Sequence, residues 1–347
     1  MSSSLQDEYI KKESLYGAQN YSPLSVVLEK GEGAYLWDVD GNKYLDMVSA
    51  YSAVSHGHSH PELLKTLHEQ SSKLAVTSRA FYTEPFSIFL EKLSKVSGFE
   101  SILTMNTGAE AVETAIKAAR RWGYFSKGIP EDKAEIIVAN GNFHGRTTTI
   151  VSFSSDMSYK DGFGPFTPGF KTADFCGSCE CGSIKSCLSI KSFEKKINKN
   201  TCAILVEPIQ GESGIRVPNE GWLKELRELC TAKNILLILD EIQSGLGRTG
   251  KLFAYEHEDI IPDGLILGKA LGGALLPISA FLSSKDVMQH FNPGSHGSTF
   301  GGNPLASKVA AKAIDLLFED KLIENSKKMG EYFLKSLKQI DSKIIKE

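Results

Sequence analysis

Residues 265–273 read LILGKALGG: an apolar run, a glycine, a single lysine and a closing pair of glycines. Three consecutive bulky apolar residues, Leu265 to Leu267, predict a strand buried on both faces, and Gly268, Gly272 and Gly273 supply the turn that ends it. Lys269 therefore stands where a buried strand stops. Three more runs have the same character: EIIVAN at 135–140, CAILVEP at 202–208 and ILLILDE at 235–241. Between them, apolar residues recur at helical spacing, which predicts helices over 110–123, 221–233 and 304–320. Buried strands alternating with helices define an α/β fold with a mainly parallel sheet covered on both faces. Ligands of such sheets sit beyond the carboxyl ends of the strands, where Asp240 and Lys269 both fall.

The whole-chain properties agree with that architecture. At 347 residues, 41% hydrophobic and 23% charged, the chain can bury a sizeable core, and one large domain with smaller appended parts is expected. A formal charge of −3 gives no global attraction to nucleic acid or to an acidic membrane, and neither is expected as a partner. No apolar run is long enough to span a bilayer. The N-terminal MSSSLQDEYIKKES lacks the apolar core of a secretory signal, and Asp7, Glu8 and Glu13 are foreign to an acidic-poor transit peptide, so a cytoplasmic location is expected. There is no tandem repeat and no low-complexity segment.

An unpaired lysine in an apolar site either costs several kcal/mol or has its pKa depressed until it is a neutral amine. A neutral amine is a nucleophile that condenses with aldehydes, and the cofactor built for that reaction is pyridoxal phosphate, whose ring nitrogen needs a carboxylate partner. Asp240 is the candidate carboxylate. A phosphate cradle is available at Thr107-Gly108-Ala109, which opens a predicted helix whose free amides and dipole favour an anion. GNFHGRTT, at 141–148, adds Phe143, an apolar face able to cover a ring, and Arg146, able to grip a carboxylate in a bidentate fork. Each residue also has a plain reading: a solvated strand-end lysine, a threonine N-cap followed by glutamate, core packing, a surface arginine.

Taken together these segments resemble the class III (fold-type I) pyridoxal-phosphate aminotransferases, and among them most closely the ornithine aminotransferases. The stretches that carry the resemblance run in family order from about residue 16 to 305. They are YGAQNYSPLSVVLEKGEGAYLWDVDGNKYLD, YSAVSHGHSHP, TSRAFY, MNTGAEAVETA, GNFHGRT, GFGPFTPGF, VEPIQGESGI, LDEIQSGLGRTG, LGKALGG and HGSTFGGNP. The resemblance implies a large domain with a seven-stranded, mainly parallel sheet at 52–303. It also implies a smaller α+β domain made from 1–51 and 304–347. It implies that Lys269 holds the cofactor covalently and later shuttles the substrate proton, that Asp240 holds the proton of the ring nitrogen, and that Gln243 bonds the phenolic oxygen while Phe143 stacks on the ring. Gly108 and Ala109 would give amides to the phosphate, and Ser298 and Thr299 would reach the phosphate of a neighbouring subunit, which requires a homodimer or a higher oligomer. Tyr21, Tyr51, Arg146 and Glu212 match the substrate residues of ornithine-type enzymes, with ornithine and 2-oxoglutarate as substrates. Arg146 and Tyr21 would anchor the α-carboxylate and α-amino group, and Tyr51 would narrow the pocket so that the δ-amine reaches Lys269. Acetylornithine and 4-aminobutyrate aminotransferases share FHGRT and the lysine motif. His144, where ornithine enzymes usually carry tryptophan, leans toward these relatives, and the pair Tyr21 and Tyr51 leans away.

Two other patterns invite different chemistry. Gly245 to Gly250 fits G-x-G-x-x-G, but a poor helix follows it and no second strand ends in a ribose-binding acid at the expected distance, so a dinucleotide site is not expected. His56, His58 and His60 alternate as metal ligands on one face could, yet the resemblance accounts for GHSHP as a structural turn. The chain departs from the family in ending at Glu347, well before such enzymes usually end, and a truncated sequence is the expectation. It also departs in the loop DFCGSCECGSIKSC. There Cys176, Cys179, Cys181 and Cys187 have the spacing of a thiolate zinc site, of a redox pair or of a loop of free thiols. No metal is expected in the active site itself. A catalytically silent scaffold of the same fold is the non-enzyme alternative.

Overall fold

Strand β8 (Leu236–Asp240), the ILLILD run, lies in the middle of a seven-stranded sheet, and its side chains alternate between two cores. Leu237 and Leu239 join Phe89, Trp222, Phe253 and Ile314 on one face. Leu236 and Ile238 join Ala111, Ala115, Ile136 and Phe281 on the other. That two-period alternation with apolar residues at every position is what a strand covered on both sides requires. The computed structural model describes residues 5–176, 188–342 and 344.

The other strands of the sheet follow from the same logic. In chain order, β1 (Leu28–Glu32), β2 (Tyr35–Asp38) and β3 (Lys43–Leu45) form a separate antiparallel sheet of three strands. β4 (Ser101–Met105), β5 (Glu135–Ala139), β6 (Phe170–Ala173), β7 (Thr201–Val206), β8, β9 (Gly264–Leu267) and β10 (Ser279–Ser283) make the large sheet, ordered β4-β10-β9-β8-β7-β5-β6. Pairings from β9 through β6 are parallel, and β10 alone runs against its two neighbours. The carboxyl ends of β4, β5, β7, β8 and β9 consequently open on one edge.

The three predicted helices are present as Gly108–Phe125, Trp222–Ala232 and Pro304–Glu319. The first lays Ala111, Ala115, Ala118 and Ala119 on the sheet, short side chains that let its axis lie close to the strands. Pro304–Glu319 buries ten residues and packs against helices Pro61–Ser71 and Glu84–Ser97. Helix Leu322–Leu337, by contrast, buries none. No helix among the described residues is long and apolar enough to cross a membrane.

Candidate active site

Each site residue is set by a strand end. At the last residue of β8, the Asp240 carboxylate accepts the Ile242 amide on Oδ1 at 3.0 Å and His144 Nδ1 on Oδ2 at 2.7 Å. Just beyond β9, Lys269 takes a left-handed backbone, φ 42°, a costly conformation for a residue with a Cβ. Beyond β5, the loop through Phe143 and His144 is tied down by Asn142, whose amide donates to Ala139 O at 2.6 Å and Phe153 O at 3.2 Å. Beyond β7, Glu207 accepts the Phe143 amide at 3.0 Å and the Gly211 amide at 3.3 Å. Beyond β4, Thr107 caps helix Gly108–Phe125 in a reciprocal box with Glu110. The threonine cap and the anion cradle are compatible: the box occupies the Thr107 and Glu110 amides, while those of Gly108 and Ala109 take no partner among the described residues.

These residues enclose a cavity of about 180 Å³ lined by Gly108, Ala109, Phe143, Asp240, Gln243 and Lys269, with His144, Gly145, Glu207 and Ile242 completing the wall. Gly108 lies close to the wall opposite, since a Cβ on it would come within 2.8 Å of Ile242 Cδ1 and push that side-chain end aside. Burial pushes the Lys269 amine below the ordinary lysine value, against the opposing pull of Glu212, Asp240 and Glu207. Burial also pushes Glu207 up to about 7, with the nearby Asp240 charge adding to the rise and His144 opposing it. For His144 burial favours the neutral ring, but the bond and charge of Asp240, helped by Glu207, outweigh it and the pKa is raised. Three shifted groups around one cleft mark a chemical site.

The remaining expected residues are distributed more widely. Gln243 donates its amide to Glu212 at 2.9 Å, which places that exposed carboxylate beside the cavity. Arg146 is exposed and lies over the Tyr159 ring at 4.2 Å and the Phe143 ring at 5.7 Å. Tyr51 is 64% exposed within four consecutive left-handed residues, Ser49 to Ser52. Tyr21 lines a different pocket, against the N-terminal helix, with Tyr9 and Leu28. Ser298 and Thr299 line a third cleft, with residues 76–80. Glu207 and the bond from His144 to Asp240 escaped the sequence reading, although Glu207 follows β7 as Asp240 ends β8, and that parallel was the available signal.

His56, His58 and His60 part company: their Nε2 atoms meet Ala313 O at 2.9 Å, Asp46 at 2.7 Å and Asp320 at 3.1 Å. The glycines from Gly245 to Gly250 lie in turns and open no helix. Among the described residues no group of three or more His, Cys, Asp or Glu is arranged to hold a metal. Cys176 is buried, and Cys179, Cys181 and Cys187 lie outside the described residues.

Comparison with known proteins decides the family, because the sequence pattern of Aminotransferase class-III matches residues 16–347. The chain belongs to the class III aminotransferases. This aminotransferase is 53% identical over 338 residues to ornithine aminotransferase of Brevibacillus brevis, covering 97% of this chain and 82% of that protein. It is similar in structure to an ornithine aminotransferase of Toxoplasma gondii, with a TM-score of 0.91 and 42% identity over 96% of this chain and 76% of that one. It is also similar to an acetylornithine aminotransferase of Elizabethkingia anophelis, with a TM-score of 0.86 and 50% identity over 97% of this chain and 80% of that one. Class III aminotransferases use pyridoxal phosphate, and the Toxoplasma structure is described with partial occupancy of it. The cavity of this aminotransferase fits that group: an amine of lowered pKa, a buried carboxylate, an aromatic face and two free helix amides line one space.

The raised carboxyl makes a testable difference to stability. With a folded pKa near 7 and an ordinary value of 4.5, Glu207 holds a proton in the native state that the unfolded chain has released. The slope of stability against pH is then negative: its contribution is full below about pH 4.5 and lost as pH rises through about 7. Glu207→Gln is expected to flatten that part of the profile by up to about 3 kcal/mol, read as urea midpoints at about pH 5 and about pH 8. An unchanged slope would show that Glu207 titrates normally.

Proposed function

We propose that this aminotransferase transfers the δ-amino group of L-ornithine to 2-oxoglutarate, giving glutamate 5-semialdehyde and glutamate. The observation that carries the reading is its identity, over nearly the whole chain, to proteins named ornithine aminotransferase. When bound, pyridoxal phosphate supplies an aldehyde for amines to condense with and a ring that accepts the electron pair released when a C–H bond breaks. Lys269 would hold the cofactor through its amine and, as a free amine, would serve as the base for the proton on the substrate δ-carbon. Asp240 would hold the proton on the ring nitrogen. Gln243 would bond the phenolic oxygen, Phe143 would cover the ring, and Gly108 and Ala109 would hold the phosphate.

Choice of donor rests on Tyr21, Tyr51, Arg146 and Glu212. In this reading Arg146 and Tyr21 grip the α-carboxylate and α-amino group, so the far amine is the one that reaches Lys269. Ser298 and Thr299, apart from their own chain's cavity, are read as reaching the phosphate of a second copy in a homodimer, and the cytoplasm is the proposed compartment. Residues 1–51 and 304–347 are assigned to the small domain and 52–303 to the large one, with Pro304–Glu319 joining the two. Acetylornithine is the second reading, favoured by the 50% identical acetylornithine aminotransferase structure. Product formation from ornithine and from N-acetylornithine, each with 2-oxoglutarate, decides between them. A wild-type preference for the acetylated donor overturns the first. On the reading that Tyr51 narrows the space for the donor, Tyr51→Ile is expected to raise kcat/KM for 4-aminobutyrate relative to ornithine by about tenfold. An unchanged ratio would take Tyr51 out of the specificity set.

A further inference from the structure

His296 stands in the segment GSHGSTF at 294–300, two residues before Ser298, and its ring reaches back to the cradle helix Gly108–Phe125. Nδ1 lies 2.9 Å from Lys117 Nζ, and Nε2 lies 2.8 Å from Thr114 Oγ1. We propose that His296, as a neutral imidazole, is a positioning residue that clamps the segment bearing Ser298 and Thr299 to the cradle helix. The hydroxyls lent to a second copy's phosphate and the amides of the chain's own cradle are then held as one rigid body. The inference rests on the reading of Ser298 and Thr299 as reaching that phosphate.

Counting hydrogens fixes the tautomer. The Thr114 hydroxyl gives its one hydrogen to Glu110 O at 2.8 Å, so toward the ring it only accepts, and Nε2 carries the hydrogen. A lysine ammonium has donors and no lone pair, so Nδ1 is bare and accepts from Lys117. A second proton on the ring would break that bond and set two cations 2.9 Å apart. Lys117 also donates to Ser295 O at 3.3 Å, and Phe291 stacks on the ring with centroids 5.4 Å apart. The charged groups acting on the ring are Lys117 and Glu110, both from the cradle helix, and Phe291 on its own segment brings none. Burial and the Lys117 charge push the ring below the ordinary histidine value of 6.5, with Glu110 opposing.

The segment has one other tie to the start of the helix. Ser298 Oγ accepts Asn106 Nδ2 at 2.8 Å and the Gly301 amide at 3.1 Å, which leaves its own hydrogen to give to an anion. Asn106 is in turn held by Glu110, the acid of the helix cap. About that contact alone the segment could still pivot, and His296 supplies the second point. Thr114 bears the mark of this role. It is the one polar side chain among the residues that the helix buries, in a position where alanine is the better helix former, and what it adds is an acceptor.

The test follows release of pyridoxal phosphate from the loaded full chain after dilution, read as loss of its visible absorbance. His296→Phe keeps a ring against Phe291 and removes both hydrogen bonds. It is expected to speed release about tenfold at neutral pH. His296→Gln keeps an amide donor toward Thr114 but does not titrate, and it is expected to release within about threefold of wild type at neutral pH. As pH falls from about 7.5 to about 5, the wild type alone loses its clamp by protonation, and its release is expected to quicken about tenfold more than that of His296→Gln. If His296→Phe fails to fold by circular dichroism, Thr114→Val takes its place, since it keeps the shape of residue 114 and removes the acceptor, and the same loss is expected. Wild-type release in the variant without the bond, or equal acid dependence in His296→Gln and wild type, overturns the proposal. Ser298→Ala combined with Thr299→Val separates the two levels. If that pair releases cofactor as wild type does, the reading of the two hydroxyls fails, whereas faster release confined to the pair refutes only the role of His296.

Discussion

Lys269→Ala is expected to lower turnover by at least about 10⁴-fold while leaving a folded protein that still takes up pyridoxal phosphate. One side chain supplies both the amine that holds the cofactor and the base that moves the proton, and alanine can do neither. Burial depresses the lysine pKa, so the folded state resists a proton that the unfolded chain binds readily. That penalty applies at neutral pH and disappears only above the ordinary lysine value of 10.5. The apo variant should accordingly melt no lower than the apo wild type. Borohydride followed by peptide mass analysis should attach the cofactor to residue 269 in the wild type and to nothing in the variant. Near-normal turnover in Lys269→Ala would remove the assignment of this cavity.

Asp240→Ala is expected to cost about 10³-fold in kcat, because the carboxylate proposed to hold the proton of the cofactor's ring nitrogen would be gone. Stability should fall as well, by about 3 kcal/mol, since the wholly buried His144 would lose its ionic partner. The two effects are measured separately, as single-turnover rate and as urea midpoint of the apoprotein. A variant that is less stable yet fully active would reduce Asp240 to a structural residue.

The apolar runs gave up β5, β7, β8 and β9 because a strand covered on both faces leaves no polar position to break the pattern. β4 and β10 were harder to see. SILTM begins with a serine and has a threonine within it, and SAFLS has a serine at each end, so neither shows the long unbroken apolar run of the central strands. β6, four residues at the sheet edge and mostly half-buried, has almost no periodicity to read. Within the site, Lys269, Asp240, Gly108 and Phe143 were legible because each residue type at a strand end has a chemical reason to be there. The bond from His144 to Asp240 was not, because it is a contact across strands that spacing along the chain does not encode, and Glu207 had only its place after β7 to mark it. Tyr21 and Tyr51 were found through resemblance alone and Arg146 first through its guanidinium chemistry, and none of the three lines the cavity that holds Lys269.

The carbonyl of Thr107, at the mouth of the phosphate cradle, accepts the hydroxyl of Ser279 at 2.7 Å across 172 residues of intervening chain. Ser279 belongs to β10, the strand that must slide between β4 and β9 against the direction of both. A ribosome building this chain therefore exposes the cradle helix long before the strand that braces it has emerged. Loop closure over such a span is slow and entropically costly, so the central parallel strands have every opportunity to pair first while β4 waits unpaired at the edge. The cofactor, which needs groups from β4 to β9 in register, can recognise only the late, nearly complete form. It then acts as a latch by mass action, holding the finished topology and leaving earlier species to fold or be cleared unaided.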